Sequence, residues 1–235
     1  MPKRLLVIVF ALLLLSGCAV RVNGRPVAGG APVPTTTRST TASTTAPTTA
    51  TSGTDGPCEY AEDGSPGTVG FPPSTPNPKA SALTFTTDRG DVRVELDPAA
   101  GPCSVQAVRY LVGKKFYDGT TCHRLTTNPN LGVLQCGDPT GTGTGTPGFR
   151  FDDELPARGA YARGVVAMAN AGPGTNGSQF FIVHGAAQIN PDYPVIGKVV
   201  AGMEVVDQVV AGGVAGGAED GKPTTPLSFV RVTEG

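Results

Sequence analysis

The sequence predicts a mainly β domain over residues 81–235, built as a closed antiparallel barrel or a sandwich. Three observations carry this prediction. Six to eight short apolar runs alternate with polar residues at period two. Turn-forming residues separate them, drawn from the chain's 33 glycines and 22 prolines. Only two segments show helical spacing.

The elements follow in order. Leu83 and Phe85 alternate with threonines, Asp88-Arg89-Gly90 turns the chain, and Val92, Val94 and Leu96 resume the alternation. That is a hairpin with one buried face. Pro102 opens a helix, because its fixed φ suits the first helical position, and Val105, Val108, Leu111 and Val112 form an apolar stripe behind it. Further strands are expected around residues 122–125, 132–136, 165–169, 179–183, 195–199 and 227–232, with a second helix over residues 203–210.

Upstream of the domain the composition changes. Residues 1–17 read as an export signal: Lys3 and Arg4 form a basic start, and residues 5–15 are unbroken apolar sequence. That run is too short to span a bilayer, which takes roughly 20 residues. Leu15-Ser16-Gly17-Cys18 resembles a bacterial lipoprotein signal. The resemblance implies cleavage before Cys18, lipidation of its sulfur, and anchorage on the extracytoplasmic face of a bacterial cell membrane. Residues 18–57 read as a Thr/Ala/Pro-rich tether, with 11 threonines among the 20 residues from 35 to 54, and lack the apolar surface to offset ordering. Residues 58–80 form an irregular Pro/Gly-rich lead-in, which Cys58 suggests is pinned to the domain.

A net charge of −1, from 18 basic and 19 acidic residues, gives no support to nucleic-acid binding. Beyond Cys18 the cysteines are Cys58, Cys103, Cys122 and Cys136. An even number in an exported chain predicts two disulfides, with three possible connectivities. We favour Cys103–Cys122, since a helix and its return loop can bring those ends together.

The stretch Met168-Ala169-Asn170-Ala171-Gly172-Pro173-Gly174-Thr175-Asn176-Gly177-Ser178-Gln179-Phe180-Phe181-Ile182 closely resembles the most characteristic segment of cyclophilins. Tyr117-Asp118-Gly119 leading to His123-Arg124, Gln135-Cys136-Gly137-Asp138 and Val195-Ile196-Gly197-Lys198-Val199 follow the family's order. The resemblance implies an eight-stranded antiparallel barrel, closed and capped by two helices, and a peptidyl-prolyl cis-trans isomerase. Arg124 matches the family's catalytic arginine, and Gln135 and Asn170 match residues that hydrogen-bond a bound peptide's backbone. Val133, Phe181, Ile189 and Tyr193 match the socket for the proline ring. Ala169 and Ala171 match positions where a small side chain leaves room for the peptide, and Gln179 belongs to the same substrate-binding stretch. Proline-containing polypeptides are the implied partners, with no metal, no cofactor and a monomeric state.

The chemistry explains these residue types. Amide resonance imposes a barrier of roughly 18–20 kcal/mol on rotation. A catalyst must hold the proline ring and favour the twisted amide over both planar isomers. Twisting leaves a lone pair on the prolyl nitrogen, towards which a rigid, permanently charged guanidinium can donate.

The sequence also departs from the family. Ten residues separate Arg124 from Gln135, about three more than in the eukaryotic pattern. Gly132 stands near a position where a pocket phenylalanine is common, Val133 replaces the usual methionine, and Gln188 falls near a familiar tryptophan. These changes thin the socket and give weight to a different class of function, a non-catalytic proline-peptide-binding chaperone; a surface interaction protein is a further alternative that no sequence feature discriminates. The glycine–threonine run over residues 141–148 lacks the Lys-Ser/Thr ending of a phosphate loop and reads as a flexible loop.

Overall fold

The structure, a computed structural model, describes residues 58–65 and 69–235. The export signal, Cys18 and the tether expected over residues 1–57 lie outside the described residues. The first strand, β1 (Tyr60–Glu62), was not expected from the sequence, being too short to show alternation. The expected hairpin follows as β2 (Ala82–Thr87) and β3 (Gly90–Leu96), and Pro102 opens α1 (Pro102–Gly113). Then come β4 (Arg124–Asn128), β5 (Leu131–Cys136), β6 (Phe149–Phe151), β7 (Val165–Met168), β8 (Phe180–Ala187) and β9 (Val195–Ala201). The chain ends with α2 (Met203–Ala211), the two-residue β10 (Asp220–Gly221) and β11 (Phe229–Glu234).

The domain is mainly β with two α-helices, and its principal sheet is antiparallel and curled. The closed eight-stranded barrel requires correction. The described sheet has nine strands in the order β10-β4-β5-β8-β7-β9-β3-β2-β11, and no ladder joins its two ends. The reason lies at the seam. β10 occupies the outer edge of β4, pairing Asp220 with Thr126 and Gly221 with Leu125, so β11 cannot take that edge. At that end, the residue just before β11 meets the segment before β4 through an isolated bridge between Thr121 and Ser228. The Cys122 N–H donates to the Leu227 carbonyl at 2.9 Å and the Phe229 N–H to the Thr120 carbonyl at 2.8 Å.

Inside the curl, Leu83, Phe85, Val92 and Val94 from the hairpin meet Leu134, Met168, Phe180 and Ile182, with Val105, Val108 and Leu111 of α1 packed against them. No side chain caps α1 from within its own start. The carboxylate of Glu154 accepts the Cys103 and Ser104 N–H groups at 2.8 Å each, placing negative charge at the helix N-terminus.

Two disulfides form, but the favoured Cys103–Cys122 pairing is wrong. Cys58 bonds Cys103, and Cys122 bonds Cys136. The first joins the lead-in to the first turn of α1. The second follows from register: Arg124 lies opposite Gln135, so the hairpin of β4 and β5 brings Cys122 beside Cys136. The lead-in is pinned further by Arg109, whose guanidinium donates to the Asn77 carbonyl at 2.8 Å and pairs with Glu234. β1 lies against β6 in a separate antiparallel ribbon, where the Tyr60 ring meets Phe149 and Phe151 edge-on.

Candidate functional site

Strands β5, β7 and β8 carry apolar residues at successive positions, so both faces of this part of the sheet are apolar. Leu134, Val166, Met168, Phe180 and Ile182 enter the main core, while Val133, Val165, Ala167, Phe181 and Val183 cluster on the opposite face. Continuous runs of this kind normally signal cover on both sides. Here the second face is covered by buried Tyr161 and only in part by Ile189, Tyr193 and Ala169. What remains is a cleft of about 90 Å³. Arg124 and Gln135 supply its polar lining, Leu131, Val133, Phe181, Ile189 and Tyr193 its apolar lining, and Ala169 and Asn170 complete it.

Phe181 and Tyr193 meet edge to face with ring centres 5.6 Å apart. Tyr161, which sequence analysis missed, holds that arrangement. Its hydroxyl donates to the Tyr193 carbonyl and accepts the Tyr193 N–H, both at 2.9 Å, and burial pushes its pKa up to about 12.

A chain of hydrogen bonds runs along the polar lining. Arg124 Nη1 donates to Gln135 Oε1 at 3.0 Å, and Gln135 Nε2 donates to Gln179 Oε1 at 2.9 Å. Gln179 Nε2 donates to the carbonyls of Gly143 and Gly145, each at 3.0 Å. The glycine–threonine run is therefore not a free loop. It wraps the buried Asp138 carboxylate, which accepts the Thr140 N–H and hydroxyl at 2.7 and 2.8 Å and the Gly143 N–H. Burial works to raise that carboxyl's pKa, but the hydrogen bonds from Thr140, Gly145 and Gly143 together hold it below the usual range.

The remaining sequence-selected residues divide between two cavities. Ala171 and Gln179 do not line the cleft. They line a neighbouring cavity of about 350 Å³ bordered by Gly143 and Thr146, and Ala169 and Asn170 line both. The Asn170 side chain is spent internally: Nδ2 donates to the Asp192 carbonyl at 3.0 Å and to Asn176 Oδ1 at 3.3 Å. Next to Arg124, both ring nitrogens of His123 are buried without a hydrogen-bond partner, and burial lowers the pKa of that imidazole. Cys122 is committed to its disulfide and is no partner for it.

Sequence reasoning missed two further residues here. Asp220 accepts from Arg124 Nε and Nη2, both at 2.7 Å. These hydrogen bonds raise the arginine's pKa above its ordinary value and lower that of the carboxyl. Leu131, next to Gly132, lines the cleft. Pairing of β5 with β8 shifts register between Leu131 and Val133, and Gly132 backs onto Gly185, where an added Cβ would stand 2.8 Å from the Gly185 Cα. Gly132 thus reflects a close crossing of backbones.

The family model described as cyclophilin type peptidyl-prolyl cis-trans isomerase/CLD matches residues 82–234. A Mycobacterium tuberculosis protein named probable peptidyl-prolyl cis-trans isomerase B is 43% identical over 169 residues, covering 66% of this chain and 55% of its own length. Its Mycobacterium leprae namesake is 41% identical over 166 residues, covering 65% and 56%. The chain thus spans about half the length of the curated relatives it matches. A Cryptosporidium parvum structure, solved in the presence of the dipeptide Ala-Pro, superposes with a TM-score of 0.57 at 30% identity and covers 65% of this chain and 97% of its own.

Proposed function

The chain belongs to the cyclophilin-type peptidyl-prolyl cis-trans isomerase family, and on that premise we propose that it catalyses rotation of X–Pro bonds in exported polypeptides. One observation carries the reading: a guanidinium fixed at the edge of an apolar, aromatic-floored cleft. The apolar lining suits a proline ring, and Phe181 is its largest buried side chain. Arg124 has five N–H donors, of which Asp220 and Gln135 take three. Two are left to meet the prolyl nitrogen as the amide twists. That interaction strengthens only when resonance is lost, which is the condition for lowering a barrier rather than merely binding. Gln135 Nε2 keeps one proton for a peptide carbonyl. Asn170, its amide already committed, would serve through its main chain.

The mechanism forms and breaks no covalent bond. A coupled isomerisation assay on short X–Pro peptides tests it: the protein should accelerate cis-to-trans conversion in proportion to its concentration. Peptide binding without any acceleration would instead favour the non-catalytic chaperone.

The proposal extends to location. Lys3 and Arg4, the apolar run over residues 5–15 and Leu15-Ser16-Gly17-Cys18 support a lipid anchor at Cys18 on the extracytoplasmic face of the membrane. Two or more acyl chains would hold it stably where one would not. Cys18→Ala should move the protein from the membrane fraction to soluble or unprocessed material. A properly cleaved Cys18→Ala protein that stayed on the membrane would refute the anchor.

A further inference from the structure

We infer that Asp220 is a positioning residue for the proposed reaction, fixing the plane in which Arg124 presents its remaining donors to the cleft. The inference rests on the isomerase reading and goes beyond it, because Asp220 does not line the cleft.

β10 pairs Asp220 with Thr126 and Gly221 with Leu125, which makes Asp220 the diagonal neighbour of Arg124 on the adjacent strand. Main-chain contacts hold this short strand in place. The Thr127 N–H donates to the Glu219 carbonyl and the Ala215 N–H to the Lys222 carbonyl, each at 2.8 Å, and Val214 bridges Pro223. The carboxylate is therefore delivered by a fixed segment rather than by a wandering loop.

Its grip on Arg124 is two-pronged. Oδ1 accepts from Nε and Oδ2 from Nη2, both at 2.7 Å, so the whole guanidinium plane is set and not merely its position. Gln135 then takes one Nη1 proton at 3.0 Å. The side chain of Arg124 is 37% exposed and that of Asp220 49%, so this ion pair adds little to stability. What it supplies is direction. A long arginine with one anchor samples several rotamers, whereas a bidentate partner leaves it essentially one. Donation to a prolyl nitrogen needs the N–H aimed at a single point, so the loss of aim costs rate before it costs binding.

The test is a kinetic series on the full chain with X–Pro peptides. Asp220→Ala should lower kcat about tenfold, a change of ~1.4 kcal/mol in the barrier, with KM and melting temperature nearly unchanged. Asp220→Glu, which keeps a bidentate carboxylate, should recover part of the loss. In an Arg124→Ala background, Asp220→Ala should have no further effect, because the carboxylate acts only through the arginine. Equal activity of Asp220→Ala and wild type would overturn the inference, as would a full additional loss in the Arg124→Ala background. Those outcomes leave the isomerase reading intact. A wild-type protein inactive on every peptide would instead defeat that reading and this role with it.

Discussion

Removing the Arg124 side chain should separate activity from stability. In Arg124→Ala the twisted amide loses a charged donor, and hydrogen bonds to charged groups contribute roughly 1.5–3 kcal/mol. Taking 2–3 kcal/mol, kcat/KM should fall by about 30- to 150-fold. The folding cost is smaller. The lost contacts are an exposed pair with Asp220 and one hydrogen bond to half-buried Gln135, and both partners can turn to water. About 1 kcal/mol follows, which in a domain of this size lowers Tm by roughly 2–4 °C. Lysine at the same position should restore little, having no planar fork. Coupled peptide assays and thermal unfolding of the same preparations decide the matter. Full activity in Arg124→Ala would refute the placement of the site. A fall in Tm of more than ~10 °C would show that the arginine holds the fold together instead.

Mass spectrometry of the oxidised protein should find no free thiol among Cys58, Cys103, Cys122 and Cys136, and fragments linked as Cys58–Cys103 and Cys122–Cys136. Replacing both Cys122 and Cys136 by serine should cost about 3 kcal/mol in urea unfolding, given a loop of 14 residues. Gly132→Ala should destabilise the domain and disturb the cleft, since backbone rather than a yielding side chain blocks the new methyl; an unchanged Tm would mean that β5 and β8 separate easily. His123 and His184 both have pKa values lowered by burial. The unfolded chain, with histidines near 6.5, therefore binds protons first as pH falls. Stability should hold at pH 7.5 and decline below about 6.5, and a flat Tm between pH 7.5 and 5.5 would contradict the burial of both rings.

Much of this was legible because long elements advertise themselves. The alternation from Leu83 to Leu96 and the stripe from Val105 to Val112 gave the hairpin and α1. Arg124, Gln135 and Phe181 could be grouped because their motif blocks resemble a known family in order and spacing. What stayed hidden depends on contacts between distant segments. β1 and β10 have three and two residues, too few for any period to show. Asp220 lies 96 positions from Arg124 and looks like any acidic residue in a glycine-rich stretch. Leu131 shares the cleft face of β5 with Val133 and Gln135 by simple alternation, but it lies outside the motif blocks and so drew no notice. Disulfide pairing failed for the same reason: Cys103 finds its partner through the path of the lead-in, which carries no periodic signal.

The two-sided apolar strands bear on how a peptide meets this protein. Phe181 and Ile182 are neighbours on β8, one facing the cleft and the other the core. Any displacement of the cleft floor must therefore pull on the interior, and interiors are too densely packed to yield by small amounts. Amide hydrogens of Leu134, Phe181 and Ile182 should accordingly exchange only when the whole domain opens. On the proposed reading, an incoming peptide would not mould this surface but meet a floor already shaped, with adjustment confined to the partly buried rim at Ile189 and Tyr193. Affinity should then depend on how readily the peptide adopts the bound form, and rigid or pre-bent proline segments should bind better than flexible ones of the same composition.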